Sequence, residues 1–277
     1  MLLHAAPQRR LGAAPGEAAL RIAPIDAANE YSDRTLFHRS NPVFGLSFWC
    51  GTCPFLFERT ADETTPITIG PEPLAALERG LDSVSDEVID AFAPLLPIGD
   101  YVPLLIEVHP ELVDPRADRD YFTHEQLDTW ATYSLWGGRP HDPRCSYYRT
   151  YETAIDPEAH LYEFAVPMVP PAWNDEPRVR HYLDLLAEGT TPTAVALSIL
   201  DVRQPAVEYD GSDYYSHWAL THYLLDGHHK FEAAVRAGAA VRVLTLVTVD
   251  ESGATPQEVA RLGELLARPR SQRLARH

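Results

Sequence analysis

Five consecutive residues, Asp226-Gly227-His228-His229-Lys230, hold most of the chemistry this chain advertises in one place. They sit in the stretch LLDGHHKFEAAVRAG (224–238), where an apolar strand pattern gives way to a helical one. A carboxylate there can take a proton. A glycine lets backbone turn tightly or approach a ligand. Two imidazoles and an ammonium group can meet an anion. Cationic groups at a helix start face the wrong end of the dipole, at a cost of ~0.3–1 kcal/mol each when charged. The first amides of a helix also lack internal partners. A bound phosphate answers both problems, because it meets the amides and pairs with Lys230 and the imidazoles. The plainer alternative makes Asp226 an N-cap, the imidazoles neutral and Lys230 solvated. Alternation along the preceding strand puts Trp218, Leu220, His222, Leu224 and Asp226 on one face. His222 and Trp218 therefore fall on the substrate side of such a site.

The elements that must position these residues are legible in outline. In RVRHYLDLLAEG the residues Val179, Tyr182, Leu183 and Leu186 recur at helical spacing, and Gly189 ends the helix. TAVALSILDV (193–202) and HWALTHYLLD (217–226) read as buried strands. HHKFEAAVRAG is a helix ending at Gly238, and AVRVLTLVTV (240–249) is a third strand. A strand pair joined through a helix predicts a crossover connection. Upstream, NPVFGLSFW (41–49) and YVPLLIEV (101–108) read as strands. Residues 71–96 read as two short helices around SVSD, with Ser85 as N-cap. THEQLDTWATYSLW (123–136) reads as a helix. HLYEFAVPMV (160–169) is the one strand expected in a segment rich in Pro, Tyr and Asp.

The run YLDLLAEGTTPTAVALSIL…HWALTHYLLDGHHKFEAAVRAGAAVRVLTLV resembles the ParB/sulfiredoxin superfamily core over about residues 178–250. In that core a helix ends in Gly, a strand follows, and a second strand leads to a phosphate-binding turn. A helix with an A-A-x-x-A-G rhythm precedes the last strand. The turn is most similar to the DGHHR version of the ParB-like free serine kinases, with Lys230 in place of Arg. Lys keeps the charge but loses the bidentate fork. The GERR pair of chromosome-partitioning proteins is missing, and His228 stands where sulfiredoxins have their cysteine.

This resemblance implies an α+β fold: a ParB/sulfiredoxin-like mixed sheet with helices in the C-terminal half, plus an N-terminal α/β extension. It implies a nucleotide-dependent phosphotransferase acting on the hydroxyl of a small molecule, such as a free amino acid like serine, with ATP or ADP and Mg²⁺. Asp226 then resembles the catalytic carboxylate that takes the hydroxyl proton. Gly227, His228, His229 and Lys230 resemble the phosphate cradle. Glu107 is the candidate second carboxylate, with Glu111 competing.

Two other readings stand beside it. One is a non-catalytic ParB-like nucleotide-binding protein. The other is a metal-dependent nuclease or hydrolase using His222, His228, His229 and Asp226, although adjacent helical histidines diverge by ~100°.

The segment SFWCGTCPF carries Cys50 and Cys53, and Cys145 is the third and last cysteine. Three in so long a chain are not a disulfide framework. They read as reduced structural thiols, as part of a structural Zn²⁺ site with a histidine such as His141, or as a redox pair.

Composition bounds the rest. The chain has 277 residues and a net charge of −17, which disfavours nucleic acid as a partner. No apolar run is long enough to span a bilayer, and the N-terminus lacks an apolar h-region, so a cytoplasmic protein is expected. The expected organisation is a poorly ordered N-terminus (1–30) and an extension with the CGTC segment (31–100). A ParB/sulfiredoxin-like domain (101–250) follows with an insertion at 139–177, and then a C-terminal helix and basic tail (251–277).

Overall fold

The computed structural model describes residues 1–24, 34–46, 57–60, 69–113, 146–203 and 216–268. Within them the protein is α+β. Its main sheet is mixed and nine-stranded, in the order β1-β7-β13-β11-β12-β10-β9-β8, with β2 also pairing β7. These strands are β1 (Leu2–Ala5), β2 (Arg9–Leu11), β7 (Gly99–Val108), β8 (Glu111–Val113), β9 (Tyr147–Asp156), β10 (Ala159–Pro167), β11 (Thr193–Arg203), β12 (Ser216–Asp226) and β13 (Val241–Thr248). A smaller antiparallel sheet runs β3 (Leu20–Pro24), β4 (Arg34–His38), β5 (Asn41–Gly45), β6 (Glu58–Arg59). Five helices are described: α1 (Pro71–Arg79), α2 (Asp86–Phe92), α3 (Glu176–Ala187), α4 (His228–Ala237) and α5 (Pro256–Leu266).

The central strands are mostly apolar on both faces, as a sheet covered on both sides requires. One face packs Leu197, Ile199, Tyr223 and Leu244 with the small sheet, α1 and α2. The other packs Ala196, Leu220, Leu224 and Val243 with Phe231 of α4 and Val259 and Leu262 of α5. Ser85 caps α2 as its sequence predicts, accepting a hydrogen bond from Val88 N at 3.3 Å. Thr255 and Glu258 form a capping box on α5.

The sheet cannot be flat. Val108 ends β7 and Glu111 begins β8, so they lie at most about 11 Å apart. Along the sheet, however, β7 and β8 are six strand spacings apart, about 29 Å. The sheet must therefore curl until its ends approach at His109-Pro110. Ile106 and Val108 from one end and Tyr148 and Tyr151 from the other accordingly share a single cluster.

Three expectations need correction. The stretch expected as a poorly ordered lead-in is built into the fold over residues 1–24. There β1 and β2 pair with β7, and β3 pairs with β4. Their shortness hides them in the sequence, since strands of three to five residues carry little periodicity. The expected insertion at 139–177 contributes two long strands, β9 and β10, to the body of the sheet. β9 and β10 pair with each other, and β10 lies parallel to β12. The Tyr- and Thr-rich composition of β9 suits a half-buried pleated surface, but the flanking Pro and Asp residues mask it. Third, α4 does pass from β12 over β11 to β13, yet the strands it joins run in opposite directions. β12 is antiparallel to β11, while β13 is parallel to it. The helix expected at 123–136, the CGTC segment and the tail beyond Arg268 lie outside the described residues.

Candidate functional site

Asp226 closes β12, and Gly227 turns the chain with φ 104°, in the left-handed region. A Cβ at Gly227 would lie 2.4 Å from Ala194 Cβ, so strand β11 also demands glycine here. Gly227 is the N-cap of α4 and leaves the helix without a side-chain cap. The turn and the first helical residues thus come together as expected, and Asp226 remains partly exposed.

The electrostatics differ from the expectation. Lys230 is buried. Its ammonium donates to Thr193 O at 2.8 Å and to Asp226 Oδ2, and lies 5.7 Å from the centre of the Tyr182 ring. The anion that offsets this lysine is therefore supplied by the chain itself. His228 Nε2 accepts a hydrogen bond from Met168 N at 3.0 Å, and His229 Nε2 accepts one from Asp175 N at 3.1 Å. An imidazole nitrogen that accepts is unprotonated, so both rings carry their proton on Nδ1. Burial first, then His229, Arg59 and Lys230, push His228 down to about 4 against the pull of Asp226. Burial and then Arg178 lower His229.

These bonds join the N-terminus of α4 to the β10–α3 connection. Asn174 Nδ2 adds a bond to Glu232 Oε2 at 2.5 Å, and Arg236 pairs with Glu176 at 2.9 Å. Arg59, which sequence reasoning missed, donates to the carbonyls of Pro167 and Met168 at 2.6 and 2.8 Å. It comes from the small sheet, far away in sequence.

The remaining candidates are elsewhere. Glu107 lies at the same end of the sheet but three strands from Asp226, and pairs with Arg242 at 3.8 Å. Glu111 lies on β8 and pairs with Arg149 at 3.6 Å. Trp218 is buried in the core, with the Arg261 guanidinium 5.3 Å from its ring centre. His222 is fully buried, about 13 Å along β12 from Asp226. Cys50, Cys53, Cys145 and His141 lie outside the described residues.

His222 belongs instead to a polar row that crosses five strands inside the core. Thr245, Ser198, His222, Glu163 and Thr150 make it up, none more than 4% exposed. Ser198 Oγ and Thr245 Oγ1 lie 2.7 and 3.2 Å from His222 Nδ1. His222 Nε2 makes no hydrogen bond and stands 4.0 Å from Glu163 Oε2. Thr150 Oγ1 donates to Glu163 Oε1 at 2.5 Å. Burial pushes the Glu163 carboxyl up, but the neighbouring imidazole, the charge of the chain's N-terminus and Thr150 together outweigh it and hold the group below its usual value. The Ser198–His222 contact has the spacing of a nucleophile and its base. It is sealed beneath helices, where it organises the core. Single polar residues at strand spacing give no signal of this row in the sequence.

Among the described residues no group of three or more His, Cys, Asp and Glu side chains could hold a metal ion. The set His222, Asp226, His228 and His229 is dispersed by the partners each has taken. Mg²⁺ held between Asp226 and Glu107 is not a seat these residues form. Comparison of the chain with family models, curated proteins and solved structures returns no match.

Proposed function

We propose that the β12–α4 junction binds the phosphate of a nucleotide. On this reading the protein is a ParB/sulfiredoxin-like phosphotransferase that acts on the hydroxyl of a small molecule, such as a free amino acid. The carrying observation is the junction's backbone: left-handed Gly227 presents the uncapped first turn of α4 directly beside a partly exposed Asp226. Amides so placed suit phosphate oxygens. The element order β11, β12, α4, β13 agrees with the resemblance.

Asp226 has one oxygen turned to Lys230, and its other oxygen accepts the substrate's hydroxyl proton. The hydroxyl oxygen then bonds to the terminal phosphorus of ATP or ADP as the bond to the leaving phosphate oxygen breaks. Lys230 fixes the carboxylate and is a positioning residue. Mg²⁺ enters with the nucleotide as part of the substrate, since the protein's own carboxylates are not grouped to hold it.

A second, non-catalytic nucleotide-binding reading is favoured by a specific observation: His228, His229 and Lys230 already have partners inside the chain. Calorimetric titration with MgATP and MgADP, with and without serine, and product detection by phosphorus NMR separate the two. Transfer that survives in wild type and is lost in Asp226→Asn, with binding kept within about threefold, supports the kinase. Binding without transfer supports the second reading. Neither binding nor transfer leaves the junction purely structural.

A further inference from the structure

The opposite end of β13, about 25 Å from the junction, borders a hollow of about 820 Å³. It is walled by the segment from Ala13 to Ile22, the β4–β5 turn, Pro97-Ile98 and Glu251. Four charged side chains line it: Arg21, Arg39, Glu17 and Glu251. None of them forms a side-chain hydrogen bond or ion pair with another described residue.

The walls are held in place. The Arg21 guanidinium is stacked 4.0 Å from the centre of the Phe37 ring. Arg39 sits at φ 57°, with its amide donating to Ala19 O, which ties the turn to the facing segment. Glu251 is fixed through its backbone: its carbonyl accepts from buried Arg34 at 3.0 Å, and its amide donates to Thr248 Oγ1 at 3.3 Å. Its carboxyl is half-buried and unengaged. Burial raises it, Arg34 lowers it, and Asp250 raises it again, with a net upward shift. A half-buried carboxyl left without a partner in a concave wall is what a ligand cation or amine would satisfy.

We propose that this hollow binds a small zwitterion, of amino-acid to short-peptide size, with its carboxylate on Arg21 and Arg39 and its ammonium on Glu251. Opposed charges in one hollow, carried on a tied backbone, discriminate against ligands that carry only one of the two groups. Ile98 and Ile22 supply apolar contact for the ligand's body.

The test is calorimetric titration at neutral pH with free α-amino acids, dipeptides, and the matching simple amines and carboxylic acids. A zwitterion is expected to bind at least tenfold more tightly than its amine or its acid. Glu251→Gln is expected to weaken zwitterions and amines tenfold or more and leave acids unchanged. Arg39→Ala is expected to weaken zwitterions and acids and leave amines unchanged. Unfolding midpoints equal to wild type establish that both variants are folded. Absence of binding by every probe at millimolar concentration overturns the assignment. So does binding that neither substitution alters. Nucleotide turnover plays no part in the readout, so the outcome is independent of the phosphotransferase proposal.

Discussion

Strand β11 is strung between two buried ion clusters that solve the same problem differently. At its C-terminal end, both oxygens of Asp201 accept from Arg34 at 2.7 Å each, Gly253 N adds a bond at 3.0 Å, and Arg203 lies 3.6 Å away. Arg34 and Arg203 are themselves buried. At its N-terminal end, Thr193 O shares Lys230 with Asp226, whose carboxylate remains partly open to solvent. The first cluster is closed around its carboxylate: Asp201 accepts from Arg34 and from Gly253 N, and Arg203 beside it donates to the carbonyls of Val202 and Gly253. It locks the small sheet, through β4, onto the main sheet and onto the segment after β13. The second keeps an unspent acceptor facing outward. A saturated ion cluster can only hold structure, whereas an unsaturated one can hold structure and still meet a ligand.

The closed cluster predicts the largest effect. Asp201→Asn keeps the shape but strands two buried guanidinium groups. Removing one partner of a buried ion pair costs about 3–5 kcal/mol. Denaturant unfolding should therefore show a loss of stability of that size. A loss below about 1 kcal/mol would mean that solvent reaches the arginines and that the cluster is not closed. The open cluster is set by backbone rather than charge, so its sharpest break is Gly227→Ala. The substitution combines a left-handed φ with a Cβ overlapping Ala194. Strain of this type costs about 1–3 kcal/mol. Thermal unfolding measures it, and a variant as stable as wild type would show that the turn can relax away from β11.

The contrast between the clusters is also a contrast in what the sequence discloses. The open one is local: Asp226, Gly227 and Lys230 fall within five residues, so strand-to-helix punctuation and the glycine mark its place in the chain. The location is legible there, but the charge logic is not. Cations at a helix start suggest a need for an outside anion, yet a lysine at the third helical position reaches back to the carboxylate just before the turn. The imidazoles become neutral acceptors for the amides of Met168 and Asp175, partners 60 and 54 residues away. The closed cluster joins Arg34 to Asp201 across 167 residues, and no spacing rule reaches that far. The same holds for the curled sheet: strands β7, β11, β12 and β13 announce themselves by apolar runs, but their order and the closure at His109-Pro110 depend on pairings between distant segments.

The smallest expected effect is a pH dependence that separates the neutral imidazole of the open cluster from the charges around it. His228 is pushed down from 6.5 to about 4 in the folded protein, chiefly by burial. Its stabilisation is therefore fully present above about 6.5, where folded and unfolded chains both hold it neutral. As the pH falls from there, the unfolded chain takes up a proton that the folded one refuses, and stability drains away until about pH 4. His228→Gln retains an acceptor for Met168 N but does not titrate in this range. Wild type should then lose stability relative to the variant by on the order of 1 kcal/mol between about pH 7 and 5, a figure reduced for the ring's partial exposure to solvent. Parallel unfolding curves at the two pH values would show that the imidazole exchanges its proton freely in the folded state. Met168 would then not be bonded to it, and the link between α4 and the β10–α3 segment would rest on His229 with Asp175, Asn174 with Glu232, and Arg236 with Glu176.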